Sequence, residues 1–154
     1  KRRPLGTRHP GSGIAEVLAA TRPGVRRWSP AELAERGSQA FVIDVRSAGP
    51  QTAEGHLPGA MVIDRSVLEW RLDPTSGATM QGGPTYADEV AIVCNEGYSS
   101  SLAARDLRAL GFHRATDLVG GFRAYAALGV PVQSHPTRDA ISVPLAEPLA
   151  ESYG

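Results

Sequence analysis

At 154 residues the chain is long enough for one domain with one sizeable core. Its 16 Lys and Arg balance 16 Asp and Glu, so the net charge is zero, which argues against general nucleic-acid binding, and no apolar run approaches the length of a membrane span. A single cysteine excludes an internal disulfide and a multi-cysteine metal centre, and points to a reducing, cytoplasmic setting in which a lone thiol survives.

In chain order, residues 1–13 are basic and rich in Gly and Pro, and are expected to form an extended arm. Lys1-Arg2-Arg3 is followed by no apolar stretch of signal-peptide length. Lys1 is the only lysine; every other cation is arginine, a bias typical of GC-rich bacterial coding. Residues 14–132 carry the periodic pattern of a folded domain. Ile14 to Ala20 is helical in character and Val25-Arg26-Arg27-Trp28 suits a short strand. Ser29-Pro30-Ala31-Glu32 is a helix start: Ser29 caps, Pro30 fits the first helical position, and Glu32 completes a capping box. Gly37 ends that helix.

Phe41-Val42-Ile43-Asp44-Val45 is a second strand, which brings Asp44 and Arg46 to its carboxyl end. Residues 47–59, with Gly49, Pro50, Gly55, Pro58 and Gly59, read as a loop. Ala60 to Ile63 is a third strand, Val67 to Leu72 a helix, and the Gly- and Pro-rich residues 73–84 a surface loop. Val90-Ala91-Ile92-Val93 is a buried strand that delivers Cys94 at its end. Ser99 or Ser100 can cap the following helix, whose Ala103, Leu107 and Leu110 share one face and which ends at Gly111. Ala115 to Val119 is the last strand. Gly120-Gly121, a turn needing close backbone packing, leads into a short helix from Phe122 to Leu128. Residues 133–154 show little periodicity and form a C-terminal tail. Strands alternating with helices predict an α/β fold with a parallel sheet covered on both faces.

Cys94 stands where ligands bind in such sheets, at the carboxyl end of a strand. The loop Asn95-Glu96-Gly97-Tyr98-Ser99-Ser100 leads from it into a helix N-terminus, which favours a thiolate. Gly97 permits backbone dihedrals that let amides converge on the sulfur as an anion nest, and Ser99 and Ser100 add hydroxyl donors. The competing reading is a buried structural cysteine, common for this residue type. Tyr98 either lines the mouth of the site or sits exposed at the loop tip.

Several separated motifs resemble those of the rhodanese-like sulfurtransferase family over roughly Trp28 to Val132: Val42-Ile43-Asp44-Val45-Arg46, Gly55-His56-Leu57-Pro58-Gly59-Ala60, Cys94-Asn95-Glu96-Gly97-Tyr98-Ser99-Ser100 and Leu118-Val119-Gly120-Gly121-Phe122. The resemblance implies a single-domain, three-layer fold with a central five-stranded parallel sheet flanked by helices. It implies that Cys94 takes a sulfane sulfur as a persulfide from a small-molecule donor, thiosulfate or a persulfide. Cyanide, a small thiol or a protein thiol then accepts it, with no metal or organic cofactor. Asp44 is expected to support the architecture; Arg46 either supports it or lends positive potential to the site. Within the family pattern, Gly-His-Leu-Pro-Gly-Ala is a structural turn, so His56 is expected to be structural rather than a base. His9, His113 and His135 are scattered and suggest no metal site.

The chain departs from the family pattern in four places. Ser99 stands where arginine is common, Glu96 adds negative charge to the loop, Phe122 replaces a common tryptophan, and the stretch between Arg46 and Gly55 lacks acidic-aromatic character and runs one residue longer. The first two weaken attraction for a dianionic donor. Two other functions remain in play. A cysteine phosphatase of the same fold would close a longer loop with arginine, yet no arginine occurs between Cys94 and Arg105. A non-catalytic sulfur relay or interaction module would keep the cysteine without efficient turnover. The oligomeric state is not encoded in any motif.

Overall fold

The structure, a computed structural model, describes residues 10–147. Most of the basic arm, with Arg2, Arg3, Arg8 and His9, lies outside the described residues.

The apolar runs form the strands. Phe41–Asp44 (β1), Met61–Val62 (β2), Val90–Val93 (β3), Ala115–Asp117 (β4) and Arg138–Asp139 (β5) make one sheet in the order β4-β3-β1-β2-β5, and every pairing is parallel. All four β3 residues are inaccessible to solvent, as a central strand covered on both faces requires. Alternate residues divide between two cores. Ile43, Met61 and Ile92 pack with Leu68, Leu72 and Leu107 on one face; Val42, Ala91 and Val93 pack with Leu33, Phe122 and Tyr125 on the other. The first face is covered by Leu68–Leu72 (α4) and Ser99–Leu110 (α5), with Ile14–Thr21 (α1) packed on α5. The second is covered by Pro30–Arg36 (α2) and Gly121–Ala126 (α6), which pack together.

Ser29 and Glu32 form the expected reciprocal capping box, with the Glu32 N–H donating to Ser29 Oγ at 3.1 Å. Gly111 closes α5 in the left-handed conformation at φ 117°.

Four local expectations are corrected. Residues 48–54 are helical (α3, Ala48–Glu54) rather than loop. Gly49 and Pro50 fall in the first turn, where the missing proline N–H has no intrahelical partner to lose. The expected strand at Val25–Trp28 shrinks to one parallel bridge between Trp28 and Leu118 at the outer side of β4. The fifth strand is instead β5, inside the stretch after Pro131, pairing Met61 with Arg138 and Val62 with Asp139. Neither Ser99 nor Ser100 caps α5: its N-cap is Tyr98, with no side-chain cap bond, because the serines already lie inside the first turn.

From β1 the chain steps to β2 on one side, and from β3 to β4 on the other. The carboxyl ends of the adjacent β1 and β3 therefore mark the switch point where a crevice opens. Asp44 ends β1 beside Val93, and Cys94 follows directly.

Candidate active site

Cys94 is drawn into the sheet edge by the apolar β3 and is only 6% exposed. The loop after it curls back over the sulfur. Gly97 takes φ 84°, which other residues resist, and its N–H donates to Cys94 Sγ at 3.1 Å. The Ser100 N–H, in the first turn of α5, donates to the same sulfur at 3.4 Å. Ser100 Oγ lies 3.2 Å from Sγ, accepting from the thiol and placed to turn its own proton to the sulfur once Cys94 ionises. Burial pushes the Cys94 thiol up, but hydrogen bonds from the Ser100 and Ser99 side chains and from the Ser100 and Gly97 amides outweigh it, leaving the pKa below the ordinary thiol value.

Behind the sulfur lies a group that the sequence did not single out. Asp117, at the end of β4 and buried, accepts from Ser100 Oγ at 2.7 Å and from Ser101 Oγ at 2.9 Å. Arg27 grips its carboxylate with two bonds, Nε to Oδ1 at 2.8 Å and Nη2 to Oδ2 at 3.0 Å. Arg27 Nη2 and Arg22 Nη2 each donate to the Gly97 carbonyl at 3.0 Å. Their partners lie 70 and 75 positions away in sequence, so no local motif announces them.

The front of the loop docks backbone to backbone against the turn into α6. The Phe122 N–H donates to Cys94 O at 2.8 Å and the Arg123 N–H to Asn95 O at 3.1 Å. A Cβ on Gly121 would sit 2.5 Å from Cys94 O. The close packing expected of Gly120-Gly121 is thus packing against the cysteine loop itself. Asn95 Nδ2 donates to Glu54 Oε2 at 3.1 Å. Glu96 does not turn toward the sulfur: it is exposed and pairs with Arg123, which also meets Glu54 at 2.9 Å. Tyr98 is 59% exposed at the loop tip.

Asp44 and Arg46 form a buried bidentate pair, Nη2 to Oδ2 at 2.8 Å and Nε to Oδ1 at 3.1 Å. Arg46 also donates to Gly55 O at 2.7 Å and lies over the Phe122 ring, 3.9 Å from its centre. Its guanidinium therefore ties β1 to the end of α3 by hydrogen bonds and to α6 by its contact with the ring. Phe122 offers the flat apolar face that this guanidinium needs.

His56 is buried, and its backbone exchanges two hydrogen bonds with Gln133. Burial and then the nearby Arg46 lower its pKa, disfavouring the imidazolium. Its hydrogen-bonding neighbours among the described residues do not include Cys94. It faces a separate cleft of about 680 Å³ lined also by Arg46, Gln51, Val62, Asp64 and Ile141. Among the described residues, no group of three or more His, Cys, Asp or Glu side chains gathers as a metal site.

Residues 29–128 match the family model of the rhodanese-like domain. The chain is 31% identical over 103 residues to an adenylyltransferase and sulfurtransferase, MOCS3, of Arabidopsis thaliana, covering 62% of this chain but only 22% of that protein. Among solved structures it is similar to the human single-domain sulfurtransferase TSTD1, with 29% identity, a TM-score of 0.57, and 68% of this chain and 97% of that one covered. A Rhodopseudomonas palustris protein of unknown function, described as a possible tyrosine phosphatase, shares the fold at a TM-score of 0.73 and 23% identity, over 82% of this chain and 98% of its own.

Proposed function

The chain belongs to the rhodanese-like domain family, and from that premise we propose that it is a sulfurtransferase whose Cys94 carries a sulfane sulfur as a persulfide. The observation that supports this most is the pairing of a strand-end thiol with two backbone N–H groups aimed at its sulfur and a pKa below the ordinary value. Such a cradle suits an anion, and both a thiolate and a terminal persulfide are anions.

The Cys94 thiolate attacks the outer sulfur of the donor. A new S–S bond forms to Cys94 as the donor's own bond to that sulfur breaks, and sulfite leaves if the donor is thiosulfate, or a thiolate if it is a persulfide. In the second half, cyanide or a thiolate attacks the terminal sulfur and the Cys94 thiolate is released. Two half-reactions through a covalent intermediate give ping-pong kinetics. No step needs a general base once the thiol is ionised, which agrees with a His56 that faces another cleft.

The donor that fits best is less charged than thiosulfate, or is a protein or small-molecule persulfide. Ser99 brings no cation to the loop mouth, and beside it the Glu96 and Glu54 carboxylates share the single Arg123 guanidinium. A phosphatase reading has weaker support. Arg105, the first arginine after Cys94, lies within α5 and pairs with Asp106 at 3.1 Å, so no loop guanidinium offers a bidentate grip on phosphate.

The test is turnover by wild type and Cys94→Ala with thiosulfate and with glutathione persulfide, using cyanide and small thiols as acceptors. We expect higher kcat/KM with the persulfide, and loss of turnover in the variant. Ready sulfur loading with poor transfer to every acceptor would instead mark a relay module. Full turnover by Cys94→Ala would overturn the proposal.

A further inference from the structure

The loop that cradles Cys94 contains no cation, yet two guanidiniums meet it from behind. Arg22 is the C-cap of α1 and Arg27 lies just before α2. Both precede residue 29, where the match to the family begins. The segment between them is pinned along its length. The Val25 N–H donates to Arg22 O at 3.1 Å, Thr116 Oγ1 donates to Arg26 O at 2.9 Å, and the Trp28 N–H donates to Asp117 O at 3.0 Å. Arg22 donates to Gly97 O and to Ser101 Oγ, at 3.0 and 3.1 Å, and its guanidinium lies 6.0 Å from the centre of the Tyr98 ring. Arg27 spans Gly97 O and the Asp117 carboxylate.

A carbonyl oxygen has two lone pairs, and here each meets a charged donor. The peptide joining Gly97 to Tyr98 is trans and planar. Fixing its oxygen against the two arginines therefore sends the Tyr98 N–H the opposite way, away from the guanidiniums. The same grip restrains ψ of Gly97, whose own N–H, in the preceding peptide, donates to the sulfur. Arg27 also fixes Asp117, which orients the Ser100 hydroxyl beside Sγ. Two cations against one carboxylate leave a net charge of +1 in this group of three.

We propose that Arg22 and Arg27 are positioning residues for Cys94: they hold the Gly97 carbonyl away from the sulfur so that the Gly97 and Ser100 amides stay turned toward it, and thereby complete the anion-binding loop from the segment that precedes the family match. The biological meaning of this role rests on the persulfide reading, but its test does not.

Among the described residues Arg22 pairs with no carboxylate, so Arg22→Gln removes a grip on the loop without stranding a buried charge, whereas Arg27→Gln would leave Asp117 without its guanidinium. Alkylation of Cys94 by iodoacetamide is followed across pH in wild type, Arg22→Gln and Arg22→Lys, beside thermal unfolding and the rate of sulfur loading from glutathione persulfide. Arg22→Gln is expected to move the alkylation midpoint to higher pH and to slow loading about tenfold, the loss of one charge-assisted hydrogen bond. Arg22→Lys keeps the charge but not the fork, and should recover part of both. An alkylation profile unchanged in folded Arg22→Gln overturns the proposal, as does a lowered unfolding midpoint with no change in profile. If Arg22→Gln does not fold, the Arg22→Lys profile decides in the same way. If wild type takes up no sulfur, the sulfurtransferase reading fails while the alkylation profile still tests the positioning role.

Discussion

At Cys94 two effects of opposite sign meet. Burial disfavours the thiolate, while hydrogen bonds from Ser100, Ser99 and Gly97 favour it and prevail. Because the thiol pKa is lowered, reactivity should rise with pH and reach half its maximum at a lower pH than it does for a free thiol. Ser100→Ala deletes the hydroxyl between Sγ and Asp117, and should move that midpoint to higher pH and slow alkylation near neutrality by about tenfold; stopped-flow alkylation across pH reads both. Asp117 keeps Ser101 and Arg27, so the fold should survive this change. Gly97→Ala tests the loop backbone. The residue sits at φ 84°, and its added Cβ would meet Gly120 N at 2.6 Å. A strained dihedral alone costs about 1–3 kcal/mol, so thermal unfolding should show a lowered midpoint together with slower Cys94 alkylation. An unchanged alkylation rate in a folded Gly97→Ala protein would mean that the loop's shape does not govern the sulfur.

The elements differ in how openly their sequences declare them. β1 and β3 are apolar runs buried on both faces, and α2 begins with a capping box; burial and capping act locally, so both are readable along the chain. Replacing the cap by Ser29→Ala should cost about 1 kcal/mol and lower the unfolding midpoint by about 3 °C, without altering the alkylation profile of Cys94. α3 escaped because Gly49 and Pro50 signal a turn when read by residue type, and only position within the first helical turn reconciles them with a helix. β5 escaped because two residues, Arg138 and Asp139, show no alternation; their register comes from β2. In the site, Cys94, its loop, Asp44 and Arg46 were legible as motifs. Asp117, Arg22 and Arg27 were not, since their contacts arise only when α1, β4 and the loop are folded against one another.

For the whole molecule, topology explains why one cysteine suffices. The sheet reverses its winding between β1 and β3, and that reversal opens the crevice at which β3 ends in Cys94. The buried Asp44–Arg46 pair joins β1 to α3 and α6, the turn into α6 supports the cysteine loop, and α5 on the other face supplies the Ser100 amide, so both covering layers contribute to the position of one sulfur. On the proposed reading, a loop with no arginine of its own, held by cations from the preceding segment, gives the thiol little purchase on a dianionic donor or on phosphate. The most direct measurement is the intact mass of the protein after exposure to glutathione persulfide and removal of excess donor. Wild type should gain about 32 Da, the mass of one sulfur, reversible by a thiol, and Cys94→Ala should gain nothing. No adduct on wild type with any sulfane donor, or an equal adduct on Cys94→Ala, would contradict the account.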